Sequence, residues 1–185
     1  MEAAVPELVL RHHDAAGMHR QQDVLLEVYT EVYADLLADP FFTPARFWQR
    51  LENYAKRQGF ALITGWLDDT LVGYTLGFTL PKQATWWGGF LGDVDPALLE
   101  EDGRRTFAVT QLMVVPGWQR RGYAHRLHGA LLDGRAEERA TLLVKPDNVP
   151  ARTAYLSWGW HLFGQVQPFD DAPVYDALMY ELRAG

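Results

Sequence analysis

The chain has 185 residues, 48% hydrophobic and 13% aromatic, with a formal net charge of -7, which suits one globular domain over 1–185 with a substantial core. That acidity argues against general nucleic-acid binding, and the absence of cysteine excludes a disulfide framework, a thiolate nucleophile and a cysteine-type zinc site. There is no signal-like apolar core near the N-terminus and no apolar run of about 18 residues, so the expectation is a soluble, cytoplasmic protein without a membrane partner.

In chain order, Val5 to Arg11 read as a first strand. After Gly17 comes a long helix whose Leu25, Val28, Tyr29, Val32, Tyr33 and Leu36 keep helical spacing, ended by Asp39-Pro40. Thr43-Pro44 has the form of a cap followed by proline, and Phe47, Leu51 and Tyr54 make the stripe of a second helix. Phe60 to Leu67 and Leu71 to Leu80 form a hairpin around Asp68-Asp69, with Gly65, Gly73 and Gly77 as marks of bulges or close backbone approach.

Pro81 to Arg105 is a long connection, of the kind that compact domains carry for a functional reason. It holds Trp86, Trp87 and Phe90, then the carboxylates Asp93, Asp95, Glu100, Glu101 and Asp102. The aromatic trio could wall a site for a cationic or aromatic substrate through stacking and cation–π contact, or simply anchor the loop on the core.

Thr106 to Leu132 is the informative stretch. Phe107 to Val115 are too continuously apolar for a half-solvated strand, and Pro116-Gly117 stops them. Tyr123, Ala124, Leu127, Ala130 and Leu131 then recur at helical spacing. The loop Gln119-Arg120-Arg121-Gly122 therefore opens a helix, where unsatisfied N–H groups and the positive dipole end favour an anion. Gly122 allows close approach to the backbone, and two arginines add charge suited to a phosphate or pyrophosphate. Neither a P-loop nor a dinucleotide-binding glycine fingerprint is present. Downstream, Thr141 to Lys145 is a strand, and Asn148 to Trp158 a helix with Asn148 as cap and Pro150 in its first turn. Trp160 to Val166 and Val174 to Leu182 are the last two strands. The order, a strand, two helices, a hairpin, the long loop, then strand-helix-strand-helix and two strands, indicates a mixed α/β sheet flanked by helices.

Two segments carry a family resemblance. L112-M-V-V-P-G-W-Q-R-R-G-Y-A124 and N148-V-P-A-R-T-A-Y-L-S-W-G-W160 resemble the acetyl-CoA motif and the later Asn-to-Tyr segment of the GCN5-related N-acetyltransferase (GNAT) superfamily. The resemblance implies a mostly antiparallel central sheet of about seven strands with about four helices. It also implies acetyl-CoA as co-substrate, no metal, and direct transfer to a primary amine. Leu112, Met113 and Val114 would offer backbone groups to the pantetheine arm and thioester. Arg120, Arg121, Gly122, Tyr123, Ala124 and His125 would wrap the pyrophosphate. Asn148 would contact the pantetheine, and Tyr155 would be the general acid. In such enzymes the strands corresponding to 106–115 and 141–145 splay apart to admit the cofactor arm.

The chemistry sets its own demands. Neutralising a lysine-like amine at pH 7 costs about 4.6 kcal/mol, and a phenol is a weaker acid than a thiol by about 2 kcal/mol. The positions where relatives carry a catalytic glutamate hold neutral residues here, near Ala108 and Thr110 and at Leu143. A carboxylate of the Asp93–Asp102 loop, or water held by Gln111, is the remaining source of a base. His12-His13, His125, His128 and His161 form no metal set at usable spacing. The acidic chain and the aromatic loop favour a small cationic amine as acceptor. A non-catalytic acyl-CoA-binding module on the same fold is the alternative, and the last strands could pair across a two-fold into a homodimer.

Overall fold

A computed structural model describes residues 7–170 and 172–182. Within them are eight strands and five α-helices: β1 Val9–His13, α1 Ala15–Arg20, α2 Gln22–Val32, α3 Pro44–Ala55, β2 Ala61–Leu67, β3 Thr70–Thr79, β4 Phe90–Leu91, β5 Thr106–Val114, α4 Tyr123–Leu132, β6 Arg139–Val144, α5 Val149–Ser157, β7 His161–Val166 and β8 Tyr175–Glu181. Two counts correct the expectation of about seven strands and about four helices. The long first helix is two, because Asp14 accepts a hydrogen bond from the Gly17 amide and caps an earlier helix that ends at Arg20, with Gln21 as its C-cap. The extra strand is β4, two residues long and visible only through its pairing with β7. β1 begins at Val9; Val5 and Pro6, expected to open it, lie outside the described residues. Among the described residues, no helix is long and apolar enough to cross a membrane.

The chain divides into two compact units, Met1–Phe78 with Gln111–Asp133, and Thr79–Thr110 with Gly134–Gly185, so β5 contributes one half to each. In the first unit β1, β2 and β3 pair antiparallel in that order. The β2–β3 register slips between Gly65 and Trp66, a bulge at one of the hairpin glycines. Gly73 serves close approach: a Cβ there would stand 2.5 Å from the Met113 carbonyl oxygen and 3.1 Å from the Val114 Cα. Met18, Leu25, Tyr29, Phe47, Leu51, Leu62, Tyr74 and Met113 belong to one apolar core. Within it Tyr29 and Phe47 stack at 3.8 Å between centroids, and the Tyr74 hydroxyl donates to the Leu25 carbonyl at 3.1 Å.

In the second unit the order is β5, β6, β8, β7, β4. β5 and β6 run parallel, Thr106 opposite Arg139, while β6–β8, β7–β8 and β4–β7 are antiparallel. Phe107, Ala140, Leu142, Ala177, Leu178, Trp160 and Val166 are buried there. The continuous apolar runs of β5 and β6 thus belong to covered strands.

Candidate functional site

The loop Gln119-Arg120-Arg121-Gly122 lies wholly within the first unit. After β5, the Val115 amide donates to the Val72 carbonyl at 2.9 Å, and Pro116–Trp118 make one 3-10 turn. The Gln119 side chain reaches back, Nε2 donating to the Val114 carbonyl at 2.9 Å, and so ties the loop to the end of its own strand. Arg120 then takes φ 62 and Gly122 φ 79, two left-handed residues in three positions. For arginine that conformation is uncommon and costs of order 1 kcal/mol, a kind of strain that collects at functional loops. Left-handed residues alternating with right-handed ones are the backbone pattern from which anion-binding concavities are built.

Gly122 is also the N-cap of α4 and supplies no side-chain cap. The opening N–H groups of α4 therefore lack the partner that a Ser, Thr or Asp cap would provide. Arg120, Arg121 and Gly122 are exposed, the Arg121 guanidinium lying 4.9 Å from the Trp118 ring centroid. No Cβ contact would arise at Gly122 within 4 Å, so its need for glycine comes from φ alone. Arg126, on the first full turn, instead donates to the Leu8 carbonyl at 3.1 Å and braces the helix. Ahead of the loop, Leu112 is half-buried and Met113 and Val114 are buried. Uncapped helical amides, left-handed turns and two solvated guanidiniums fit a pyrophosphate.

His125 and His128 differ on the same helix. His125 is exposed, whereas His128 is 4% exposed. Burial, reinforced by the charge of His125, pushes the His128 pKa down to about 4. His128 is therefore neutral at pH 7. Among the described residues no group of His, Cys, Asp or Glu could hold a metal ion.

Asn148 and Tyr155 belong to the second unit. The Asn148 Oδ1 accepts from the Ala151 amide at 3.4 Å, the expected cap, and Pro150 sits in the first turn. Tyr155 is half-buried; its ring meets Trp158 at 5.5 Å and Trp160 at 5.9 Å, both edge-on. Its carbonyl accepts from the Trp160 amide at 3.1 Å, which closes the end of α5 around the ring.

The aromatic loop is also in this unit. Trp87 is 6% exposed and donates its indole N–H to Glu101 Oε1 at 2.9 Å, while Phe163 packs against both Trp87 and Phe90. Trp86 is half-buried beside Trp87. A side chain at Gly164 would run into the Phe90 ring, and one at Gly89 into the Gln167 carbonyl, so both glycines allow β4 to seat on β7.

Sequence reasoning missed the polar cluster beneath this loop. Arg139 Nη2 lies 3.2 Å from Glu101 Oε1, with side chains 5% and 2% exposed. Arg139 also donates to Thr106 Oγ1 at 2.9 Å and to the Leu98 carbonyl at 2.7 Å. Glu137 in turn accepts from Thr79 Oγ1 at 2.7 Å and from Arg135 at 2.8 Å. Burial pushes the Glu137 carboxyl up, but the hydrogen bonds from Arg135 and Thr79 outweigh it and hold it below its ordinary value. A charged residue opening an apolar strand, as Arg139 does, was the only signal available. Of the five loop carboxylates, Asp95 caps the Ala97 amide, Asp102 accepts from the Arg104 amide, and Glu101 is buried in this cluster.

Residues 25–160 match the model of the "Acetyltransferase (GNAT) family". No curated protein matches the chain. Solved structures similar to it include Ard1 from Thermoplasma volcanium, 14% identical, with TM-score 0.65 over 96% of this chain and 99% of that one. Another is the PaiA N-acetyltransferase of Thermoplasma acidophilum in complex with coenzyme A, 12% identical, with TM-score 0.59 over 95% and 99%. A third is the diaminobutyrate acetyltransferase EctA of Paenibacillus lautus with L-2,4-diaminobutyric acid and coenzyme A, 13% identical, with TM-score 0.57 over 97% and 98%. At these identities the likeness is one of fold.

Proposed function

Because the chain belongs to the GNAT acetyltransferase family and is an enzyme of that class, we propose that it transfers the acetyl group of acetyl-CoA directly to a primary amine of a small cationic molecule. The observation that carries this reading is the α4 entrance: left-handed Arg120 and Gly122, no side-chain cap, and two exposed arginines. In this reading Arg120, Arg121, Gly122, Tyr123, Ala124 and His125 hold the pyrophosphate, largely through backbone amides. Leu112, Met113 and Val114 offer strand backbone to the pantetheine arm, and Asn148 contributes its amide. Acetyl-CoA supplies an activated thioester. A backbone N–H near Met113 stabilises the negative charge that develops on the carbonyl oxygen, and Tyr155 gives a proton to the departing thiolate.

A cationic acceptor is favoured by the net charge of -7. The structural neighbour EctA, crystallised with a diamino acid, is in keeping with that chemistry. Glu101 is a poor base in this scheme, being buried against Arg139; the loop's substrate contacts rest on Trp86 and Phe90, since Trp87 is engaged with Glu101.

The test is acetyl-CoA-dependent thiol release across 2,4-diaminobutyrate, polyamines, aminoglycosides and peptides, beside acetyl-CoA binding by calorimetry. Release with a small cationic amine is expected, and Tyr155→Phe should lower turnover about a hundredfold, a typical loss for a general acid, while affinity for acetyl-CoA stays. Tight binding without release from any amine would overturn the catalytic reading in favour of a binding module. Release only with peptides would overturn the small-molecule acceptor.

A further inference from the structure

We infer that the ion pair between the half-buried Arg152 and the buried Asp176 is the positioning device for Tyr155, an inference that rests on the role of Tyr155 proposed above. The apolar stripe of α5 and its C-cap, Ala151, Ala154, Tyr155 and Trp158, is half-buried and no α5 side chain is fully buried, so apolar packing alone fixes the helix rotation against a sheet only weakly. Two further contacts constrain it. One is the aromatic group in which Tyr155 meets Trp158 and Trp160, with Trp160 packed in turn on Tyr180 at 5.5 Å. The other is polar: Arg152 Nε donates to Asp176 Oδ2 at 2.7 Å.

Asp176 is 4% exposed and sits in β8 between Val144 of β6 and Gln165 of β7. Its second oxygen, Oδ1, accepts from Gln165 Nε2 at 3.2 Å. Both oxygens thus have a donor, one from the helix and one from the neighbouring strand. Edge-to-face aromatic contacts tolerate sliding, whereas a charge-assisted hydrogen bond to a buried carboxylate is directional. Arg152 precedes Tyr155 by three residues, so the two share one face of α5. Fixing the arginine therefore fixes the helix rotation that aims the phenol. Proton transfer is sensitive to such aim, since displacement by about 1 Å can cost up to about a hundredfold in rate.

The test uses Asp176→Asn, Arg152→Gln and the two together, with Tyr155→Phe alone and combined with each. Turnover is read by thiol release with the fastest amine of the panel above. In parallel, the Tyr155 signal is followed by NMR of protein with 13C-labelled tyrosine, assigned through Tyr155→Phe; this measurement needs no acceptor. Each single change should lower kcat about tenfold, leave the KM for acetyl-CoA alone, shift the Tyr155 signal, and cost nothing further once Tyr155 is phenylalanine. Arg152→Lys should restore part of the rate. If Asp176→Asn fails to fold, the double amide variant, which strands no lone charge, carries the same expectations. Wild-type turnover with an unmoved Tyr155 signal would overturn the inference alone, as would a loss that adds fully to that of Tyr155→Phe. Wild-type turnover in Tyr155→Phe would overturn the catalytic reading of Tyr155 and this inference with it.

Discussion

Around Gln119–His125, charged side chains stand in solvent and the backbone at the α4 entrance lacks a side-chain cap. Across Pro81–Arg105 the anchoring group is turned inward: Trp87, Thr106 and Arg139 all converge on the buried Glu101 side chain, while the exposed Asp95 and Asp102 cap their own turns. Both stretches combine glycine with charge and look equally functional as strings of letters. The difference lies in which hydrogen-bonding groups each fold has already satisfied. A loop that leaves helical amides without a side-chain cap and arginines exposed can hold a ligand, and one whose buried groups are consumed in its own anchoring is a rigid support.

The strongest challenge to that contrast is to break the anchor. Glu101→Gln leaves Arg139 buried without its counter-charge, and such a loss costs about 3–5 kcal/mol. Chemical denaturation should show it, while the folded fraction binds acetyl-CoA with wild-type affinity. Near-native stability would mean that the loop's charges are available after all.

Acid comes next. His128 has its pKa depressed to about 4 from an ordinary 6.5, so the unfolded chain binds its proton more readily than the folded one. Its contribution is fully present above pH 6.5 and is lost as pH falls toward 4. The size is about 3 kcal/mol from the pKa difference. Thermal melts between pH 7 and 4 should fall with a slope that His128→Leu flattens; an equal slope in both proteins would remove His128 as the cause.

Smaller effects sharpen the other side. Gly122→Ala forces a side chain into the left-handed region at a cost of about 1–2 kcal/mol, read as a lower melting temperature, and it should weaken acetyl-CoA binding because the amides lose their aim. Arg120→Ala and Arg121→Ala should each move stability by no more than about 0.5 kcal/mol, as exposed positions do. Each should nevertheless lower affinity for acetyl-CoA about tenfold at low salt and less at high salt. Unchanged affinity in both would leave the backbone as the only anion-binding element.

Much of the architecture was legible because local rules decide it. Thr43-Pro44 begins α3, Asn148 caps α5, and Pro116-Gly117 ends β5, each through chemistry carried within a few residues. The start of α4 at Gly122 was legible for the same reason: a glycine and two arginines ahead of a helical stripe are a local pattern. β4 was not, since two residues carry no period, and it exists only where Gly89 and Gly164 leave room for the pairing. The split of the first helix was missed because Asp14 lies before the apolar stripe that defined the helix.

The amino-acid sequence by itself determined the family, most of the order of strands and helices, with β4 and the division of the first helix as the exceptions, and the place of the glycine-containing basic loop at the start of α4, since periodicity, caps and turn residues act over short distances along the chain. Only the tertiary structure decided which charges are spent. Glu101 with Arg139, and Arg152 with Asp176, lie 38 and 24 residues apart along the chain. Their pairing follows from how the loop before β5 and helix α5 pack on the strands that carry Arg139 and Asp176, and burial of the partners then sets how much each charge matters.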